Sequence, residues 1–135
     1  MVVLLFSASL LLWDLHSGRP LTKHEVLAAQ PAREMVQGRH WIVPMFLGVP
    51  RTFKPPTMSW LIAGSMKVLG GESEIAARLP AALSGVATAW LMALLAGRWY
   101  GSRTGLVAGL LLATSVYTLM QARLAEADMP LCAAV

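Results

Sequence analysis

The segment LPAALSGVATAWLMALLA, residues 79–96, contains no charged side chain. A helix of about 20 mostly apolar residues is long enough to cross a bilayer, so this segment predicts a transmembrane helix. Pro80 stands near its start, where the missing N–H costs little. Ala81, Gly85 and Ala89 recur at every fourth position, which predicts a narrow face for close contact with another helix.

A second apolar run, residues 106–120, follows after a short connection. Small residues recur here as well, at Gly105, Gly109 and Ala113, again four positions apart. Helices whose small residues align bring their backbones close together. The two runs therefore predict a helical hairpin that packs through its small faces.

The composition is typical of a membrane protein. Of the 135 residues, 56% are hydrophobic and 13% are charged, whereas soluble domains are about half apolar and about a quarter charged. The net charge of +4 is modest, and no Lys/Arg run with interleaved aromatic residues occurs, so we expect no nucleic-acid binding. A basic, apolar chain suits anionic lipid head groups better. Cys132 is the single cysteine, so it forms no internal disulfide.

The arginines beside the short connection predict the orientation in the membrane. Arg98 and Arg103 flank the turn between the two apolar runs, and the positive-inside rule places such a loop in the cytoplasm. Residues 14–78 then face outward. The rule weakens for loops of more than about 60 residues, so the cations of this long loop do not reverse the prediction. Their presence there indicates that they have a function.

We therefore predict an all-α, polytopic membrane protein fragment. The first apolar stretch is shorter than a span, so it is a clipped helix or a signal-like segment, and the last stretch is interrupted at residue 135. The predicted order is a clipped first transmembrane helix over 1–13, an outer (periplasmic) loop over 14–78, a second transmembrane helix over 79–97, a cytoplasmic loop over 98–104, a third transmembrane helix over 105–121, and a second outer loop with the start of a fourth helix over 122–135.

The long outer loop is predicted to carry two short amphipathic helices. Residues 25–36 form the first, with Pro31 restricting its start or bending it. Residues 57–69 form the second, which is expected to lie flat in the membrane interface and to end at the Gly70-Gly71 pair. Its interfacial side chains are predicted to be Trp60, Leu61, Met66 and Leu69.

A stiff cationic stretch separates these helices. Prolines at positions 50, 55 and 56 fix the backbone around Arg51 and Lys54, because proline restricts its own φ and the geometry of the preceding residue. A rigid backbone lowers the entropy lost when cations bind an anion. Arg51 and Lys54 are therefore candidates for binding a phosphate, and the alternative is that they are ordinary snorkelling cations.

Glu25 and His24 begin the first outer helix. The spacing from Thr22 to Glu25 is that of a capping box, which gives Glu25 a structural role. A general base near the membrane surface is the functional alternative, and both roles are compatible. His24 is a satisfied polar contact, an acid/base partner or a metal ligand. Arg33 reads most simply as part of a solvated helix face.

Arg123, Glu126 and Asp128 follow the third predicted span. Charges inside a span cost about 2.5–3.5 kcal/mol each, so they tend to be paired or functional, unless they form an ordinary loop. On the predicted topology they share the outer face with Glu25 and Lys54. Carboxylates and cations from two loops would then converge, which suits the departure of a phosphate leaving group.

Several blocks of sequence together resemble one family, the bacterial membrane glycosyltransferases related to protein O-mannosyltransferases and to the aminoarabinose transferase that acts on lipid A. The blocks extend from His24 to Leu131: Ala32-Arg33-Glu34-Met35, Trp41-Ile42-Val43-Pro44, Gly48-Val49-Pro50, Lys54-Pro55-Pro56, Ala76-Ala77-Arg78-Leu79-Pro80, Ala122-Arg123-Leu124 and Asp128-Met129-Pro130-Leu131.

This resemblance implies a GT-C fold in the bacterial plasma (inner) membrane. It implies a sugar transferase that uses a polyprenyl-phosphate-linked donor and a lipid or protein acceptor at the outer face. The implied catalytic residues are Glu25 as base and Asp128, which orients the acceptor or holds a divalent metal ion. The resemblance makes Lys54 a contact of the donor phosphate. We predict Arg51, Arg33, Arg123 and His24 as further substrate-binding residues. His24 stands where the family has its proposed catalytic Asp.

Two alternatives from other classes stay open at this point. The chain is compatible with a non-catalytic small membrane protein that binds anionic lipid or a partner through its helical hairpin. It is also compatible with a transporter fragment, in which Glu126 and Asp128 lie in a translocation path at mid-bilayer.

Overall fold

The computed structural model describes residues 1–13, 15, 19–38, 41–52 and 55–135. The chain is mostly helical, which confirms the helical part of the predicted fold class, while the number of membrane crossings stays a prediction. The helices are α1 Val2–Leu12, α2 Lys23–Gly38, α3 Thr57–Leu69, α4 Glu74–Tyr100, α5 Ser102–Thr114, α6 Val116–Gln121 and α7 Asp128–Ala134. Two short strands, β1 Met45–Phe46 and β2 Val49–Pro50, pair antiparallel between α2 and α3.

The longest helix, α4, is the one helix in the described part of the chain that is long and apolar enough to cross a membrane. It begins at a Ser73 cap, whose hydroxyl accepts a hydrogen bond from Ala76 N at 3.1 Å. It continues to Tyr100, and α5 begins at Ser102, so the predicted loop over 98–104 is helical except for Gly101. Gly101 has a φ of +94°, a conformation that glycine adopts without strain.

The predicted hairpin of α4 and α5 is confirmed, but its contact face on α4 is displaced from the predicted Ala81, Gly85 and Ala89 toward the end of the helix. A Cβ placed on Gly105 would lie 2.6 Å from Gly97 Cα, and one placed on Gly109 would lie 2.7 Å from Ala93 Cβ. The small residues of α5 therefore pack against Ala89, Ala93 and Gly97.

The other small residues of α4 serve a different neighbour. A Cβ on Gly85 would lie 2.9 Å from Ala122 Cβ and 3.1 Å from Leu11 Cδ1. The face that begins at Ala81, which is fully buried, therefore packs against α1 and against the segment that precedes α7. The small residues of α4 thus pack against α5 near the end of the helix. Nearer its start they pack against α1 and the segment before α7.

The third predicted helix, over 105–121, is divided. The backbone at Ser115 is extended, with φ −64° and ψ 138°, and separates α5 from α6. The Ser115 hydroxyl accepts a hydrogen bond from Thr118 N at 3.3 Å and lies 2.8 Å from Thr118 Oγ1. A serine side chain that caps a new helix in this way offers the backbone an alternative to continuous helix.

The described part of residues 14–78, the predicted outer loop, contains the two predicted helices and one unpredicted hairpin. Helix α2 extends beyond the predicted 25–36 at both ends, and α3 has the predicted bounds, with Gly70 left-handed at its end. Met66 was predicted to lie in the interface with Trp60, but it is buried in the core that α2, α3 and α4 share, because its side of α3 faces them.

The turn of the unpredicted hairpin is formed by Leu47 and Gly48, both with positive φ. Two central residues of this kind form the type I′ turn that matches the twist of paired strands. Glu34 of α2 holds this turn, since its Oε1 accepts a hydrogen bond from Leu47 N at 2.8 Å and its Oε2 accepts one from Gly48 N at 3.4 Å.

Candidate functional site

A cavity of about 440 Å³ lies where the start of α2, the proline-rich segment, the start of α3 and the region around α7 meet. Its ionisable lining residues are His24, Arg51, Glu126 and Asp128. Most of the remaining wall is apolar and consists of Leu27, Ala28, Pro31, Pro44, Pro55, Met58, Ala125, Ala127, Pro130, Leu131 and Ala134, with Thr57 and Ser59 adding hydroxyls. Four of the sequence-predicted charged or titratable groups therefore lie around one apolar cavity.

His24 reaches this cavity from the first turn of α2, where its side chain is exposed. The predicted capping box is present beside it. Thr22 N donates to Glu25 Oε2 at 2.8 Å, and Glu25 N donates to Thr22 Oγ1 at 3.3 Å. These reciprocal bonds satisfy two free donors of the helix start and fix the backbone that carries His24.

Glu25 lies on the other side of the same turn and does not line the cavity. It is 0% exposed, and its carboxylate forms a two-pronged ion pair with Arg78 of α4, with Oε1 2.7 Å from Nε and Oε2 3.3 Å from Nη2. Glu25 Oε1 also accepts a hydrogen bond from Ala125 N at 3.2 Å. The side chain therefore ties α2 to α4 and to the segment that carries Glu126 and Asp128.

The environment of Glu25 favours its charged form. Burial by itself raises the pKa of a carboxyl group, but here the hydrogen bonds from Arg78, Thr22 and Ala125, with the charge of Arg78, hold the pKa of Glu25 below its ordinary value. A carboxylate with both oxygens bonded in this way is a weak proton acceptor. The role of Glu25 as the catalytic base stays a prediction, and its contacts support a positioning role.

Arg51 lies at the cavity wall and is held by several contacts. Its backbone N donates to Pro44 O at 2.7 Å, and its guanidinium donates to Leu27 O of α2. The guanidinium carbon also lies 5.7 Å from the centre of the Phe46 ring, a favourable cation–π distance. Lys54, the second cation of the predicted anion site, lies outside the described residues.

A second, shallower cavity of about 360 Å³ shares Arg51, Pro44 and Pro55 with the first. Ile42 and Val43 line its other side. Arg51 therefore stands between two adjacent spaces that both have apolar walls.

The acidic side of the main cavity comes from the segment after α6. Asp128 is the first residue of α7, and its Oδ2 accepts a hydrogen bond from Gln121 Nε2 at 3.0 Å. Glu126 precedes it in the turn, where Glu126 N donates to Leu124 O at 2.8 Å. Both carboxylates are partly exposed, so a ligand in the cavity can reach them.

Arg33 and Arg123 are not brought to the cavity. Arg33 Nε lies 2.5 Å from Glu72 Oε2, in an exposed ion pair between α2 and the segment before α4. Arg123 Nη2 donates to Leu10 O at 3.3 Å, near the end of α1. Their contact with substrate stays a prediction. In the structure each side chain bonds to a different part of the chain, Arg33 to Glu72 and Arg123 to Leu10.

Within the described residues, no group of three or more His, Cys, Asp or Glu side chains is placed to hold a metal ion. Glu126 and Asp128 supply part of a ligand set at most. The metal proposed from the resemblance therefore enters no step of the proposed mechanism.

Sequence reasoning missed Arg78, which appeared there only within a resemblance block. One signal was available, because a charged residue directly before a long apolar run requires a partner if the helix begins earlier than the run. The partner, Glu25, lies 53 residues away in the sequence, so no local pattern identifies it.

A sequence profile of the family described as dolichyl-phosphate-mannose-protein mannosyltransferase matches residues 53–135. The chain belongs to this family. The matched part includes α3 to α7 and therefore Arg78, Glu126 and Asp128.

Three curated relatives extend the similarity. An undecaprenyl phosphate-alpha-4-amino-4-deoxy-L-arabinose arabinosyl transferase of Pseudomonas savastanoi pv. phaseolicola is 33% identical over 105 residues, which are 77% of this chain and 20% of the relative. The transferase of the same name from Shewanella sediminis is 37% identical over 75 residues, 56% of this chain and 14% of the relative. An uncharacterized protein of Aquifex aeolicus is 33% identical over 108 residues, 79% of this chain and 21% of the relative.

The chain thus spans about a fifth of the length of the relatives from Aquifex aeolicus and Pseudomonas savastanoi. No solved structure matches it.

Proposed function

We propose that this chain is the N-terminal part of a membrane glycosyltransferase that moves a sugar from a polyprenyl-phosphate donor to a lipid or protein acceptor. Transfer takes place at the outer face of the bacterial inner membrane. The single observation that carries the proposal is the apolar cavity around which Arg51, His24, Glu126 and Asp128 meet. Family membership and the similarity to the arabinosyl transferases support the reaction class.

Arg51 is the proposed contact for the donor phosphate. A guanidinium has five N–H donors in a planar fork that suits phosphate oxygens. The bond to Leu27 O uses one nitrogen of the group and holds it at the cavity wall, so donors remain for a ligand. Lys54 is the proposed second contact, three positions along the same proline-rich segment.

Asp128 is the proposed partner of the acceptor. A carboxylate accepts a hydrogen bond from a hydroxyl group and so orients its oxygen for attack. The amide of Gln121 steadies Asp128 from outside the cavity. Glu25 then acts at a distance, since its bonds to Arg78 and Ala125 hold the acidic segment against α2.

The proposed chemistry is a direct displacement at the anomeric carbon of the sugar. The acceptor oxygen forms a bond to this carbon and gives its hydroxyl proton to the Asp128 carboxylate. The bond from the carbon to the phosphate oxygen breaks, and its electron pair leaves with the polyprenyl phosphate. Negative charge grows on the leaving phosphate, so fixed cations beside it lower the barrier. The apolar wall suits the isoprenoid part of the donor.

The test measures release of polyprenyl phosphate in membranes of cells that express the complete open reading frame encoding this chain. Short-chain polyprenyl phosphates that carry mannose or aminoarabinose serve as donors. We expect Arg51→Gln and Asp128→Asn to lower release by about 100-fold, the scale for loss of one charge-stabilising group. Lys67→Gln is the control, because Lys67 lies over the Trp41 ring and away from the cavity.

Wild-type release by both cavity variants would contradict the proposed site. Failure of the wild-type protein to release polyprenyl phosphate from either donor would contradict the proposed reaction. Donor binding without release would instead favour the non-catalytic lipid-binding alternative.

A further inference from the structure

We propose that Gln121 and Tyr117 of α6 are positioning residues, which together determine the oxygen of Asp128 that meets the acceptor. The inference rests on the proposed function and deepens it, because it names residues outside the cavity on which the reaction depends. Neither Gln121 nor Tyr117 lines the cavity. The observation that carries the inference is a row of side-chain hydrogen bonds that runs from Tyr117 through Gln121 to Asp128.

Both donors of the Gln121 amide are in use. Its Nε2 donates to Asp128 Oδ2 at 3.0 Å and to Tyr117 Oη at 3.3 Å. A carboxamide nitrogen has two hydrogens, so these two bonds are all that it can donate. The reverse orientation of the amide would place Oε1 against the carboxylate of Asp128, where two acceptor oxygens repel each other. Asp128 therefore fixes the direction in which the amide points.

The oxygen end of the same amide has no such contact. Gln121 Oε1 is buried and has no hydrogen-bond partner within the described part of the chain. A buried acceptor without a partner destabilises a folded protein, and such groups are concentrated where a function requires them. A residue that contributed only to stability would be disfavoured here. The bond from its nitrogen to Asp128 is therefore the contribution that explains a glutamine at this position.

The bond from Gln121 leaves one oxygen of Asp128 for the acceptor. Oδ2 accepts from the amide, and no group among the described residues bonds to Oδ1. Asp128 lines the cavity and is partly exposed, so Oδ1 is the oxygen that a hydroxyl group of the acceptor can reach. A carboxylate that is held at one oxygen presents the other in a fixed direction, as an oriented attack requires.

The break at Ser115 allows α6 to present both positioning residues on one face. The extended backbone of Ser115 ends α5, and its side chain caps α6 as a separate helix. Tyr117 and Gln121 are four positions apart in α6, so they are neighbours on its surface. Because α6 is a new helix, the direction of this face is independent of the small-residue face by which α5 packs on α4.

The backbone of the acidic segment has an anchor of its own. Glu25 Oε1 accepts a hydrogen bond from Ala125 N, three residues before Asp128. Removal of the Gln121 amide therefore leaves the segment in place and releases only the carboxylate of Asp128. Turnover should fall while the fold keeps its stability.

The experiment measures polyprenyl phosphate release and thermal unfolding of the complete protein with Gln121→Met. Methionine has a similar length and lacks both the amide nitrogen and the unpartnered oxygen. We expect kcat to fall by about 10-fold to 100-fold, the range for a misplaced reacting group. The donor KM should be unchanged, since Arg51 is the proposed donor contact. The unfolding midpoint should be equal or higher, because the buried unpartnered oxygen is removed.

A matched control and a second variant accompany this measurement. Gln37→Met loses an amide–carboxylate bond of the same kind, from Gln37 Nε2 to Glu72 Oε1, away from the cavity, and should keep the wild-type kcat. Tyr117→Phe removes only the hydroxyl of an exposed side chain and should lower kcat by about 2-fold to 10-fold, the range for one uncharged hydrogen bond.

A double-mutant cycle tests whether Gln121 acts through Asp128. Gln121→Met combined with Asp128→Asn should lower kcat no further than Asp128→Asn alone, because residues that act as a unit are not additive. Independent falls would overturn the proposal. A wild-type kcat in Gln121→Met or in Tyr117→Phe, or a fall in kcat that comes with a lower unfolding midpoint, would also overturn it. Inactivity of the wild-type protein would instead refute the proposed function, so the two failures are distinct.

Discussion

Arg78 Nε lies 2.7 Å from Glu25 Oε1, and this buried ion pair joins the start of the longest helix, α4, to the start of α2. The side chains are 2% and 0% exposed. Because the same carboxylate oxygen accepts a bond from Ala125 N, three parts of the chain far apart in sequence meet at one group. Glu25 therefore joins two cavity walls, α2 and the segment of Ala125, and binds both to α4 without lining the cavity itself.

Removal of this carboxylate charge is expected to destabilise the protein strongly. Glu25→Gln leaves Arg78 charged and buried without the Glu25 carboxylate, while its longer contact of 3.9 Å with Glu74 remains. Loss of one partner costs about 3–5 kcal/mol in buried pairs. Glu72→Gln is the matched control, because Glu72 forms an exposed pair with Arg33, and such pairs contribute about 1 kcal/mol or less. Circular dichroism during denaturant unfolding in mixed micelles measures both, and equal losses would contradict a structural role for the buried pair.

The same carboxylate predicts a loss of stability in acid. The pKa of Glu25 is lowered in the folded state, so folding favours the ionised form. Its contribution is complete above the ordinary range of Glu, about pH 4.3, and is lost as the pH falls through that range to the lower folded-state pKa. The unfolding midpoint, followed from about pH 7 to about pH 3, should fall less steeply in Glu25→Gln than in wild type; parallel curves would refute this linkage.

Two glycine substitutions are expected to change stability in opposite directions, one where α4 and α5 approach closely and one on an open face of α3. Gly105→Ala places a methyl group 2.6 Å from Gly97 Cα, so the helices must separate, at a cost of about 1–3 kcal/mol. Gly64→Ala on α3 meets nothing within 4 Å and is expected to stabilise by about 0.5–1 kcal/mol, since alanine favours helix. Thermal unfolding in detergent measures the pair, and a neutral Gly105→Ala would contradict the hairpin geometry.

The turn at Leu47 and Gly48 should depend on Glu34 of α2. Glu34→Ala removes the acceptor of both backbone N–H groups, so amide hydrogen exchange at these two residues should become faster. Exchange within α4 should be unaffected and serves as the internal reference. Unchanged exchange at Leu47 would show that the strand pairing alone holds the turn.

Local patterns predicted the parts of this fold that depend on local chemistry. The spacing of Thr22 and Glu25 predicted the helix cap, and Gly70 predicted the end of α3, because both depend on neighbours within a few residues. The four-residue repeat of small side chains predicted the hairpin. It did not show that Gly85 packs against α1 while Gly97 packs against α5, because the packing partners of a helix depend on the whole fold.

The site was predictable only in outline. Charge placement indicated that Asp128 and the cations of the outer loop converge, and the cavity brings Asp128 and Arg51 together. The ion pair of Glu25 with Arg78 depends on burial over a long sequence separation, which no periodicity reveals. Arg33 resembled the other cations in sequence, and only its contact with Glu72 distinguishes it.

The most direct test of the central claim is to find where a donor lipid binds. Membranes that contain the complete protein are incubated with a polyprenyl phosphate bearing a photoreactive group near the phosphate, then irradiated, and the labelled peptides are identified by mass spectrometry. We predict labelling of residues that line the cavity, namely those around His24 to Pro31, Pro55 to Ser59 and Ala125 to Ala134, with competition by unlabelled polyprenyl phosphate and a marked loss in Arg51→Gln. Labelling confined to the exposed face of α4, unaffected by Arg51→Gln, would contradict the account.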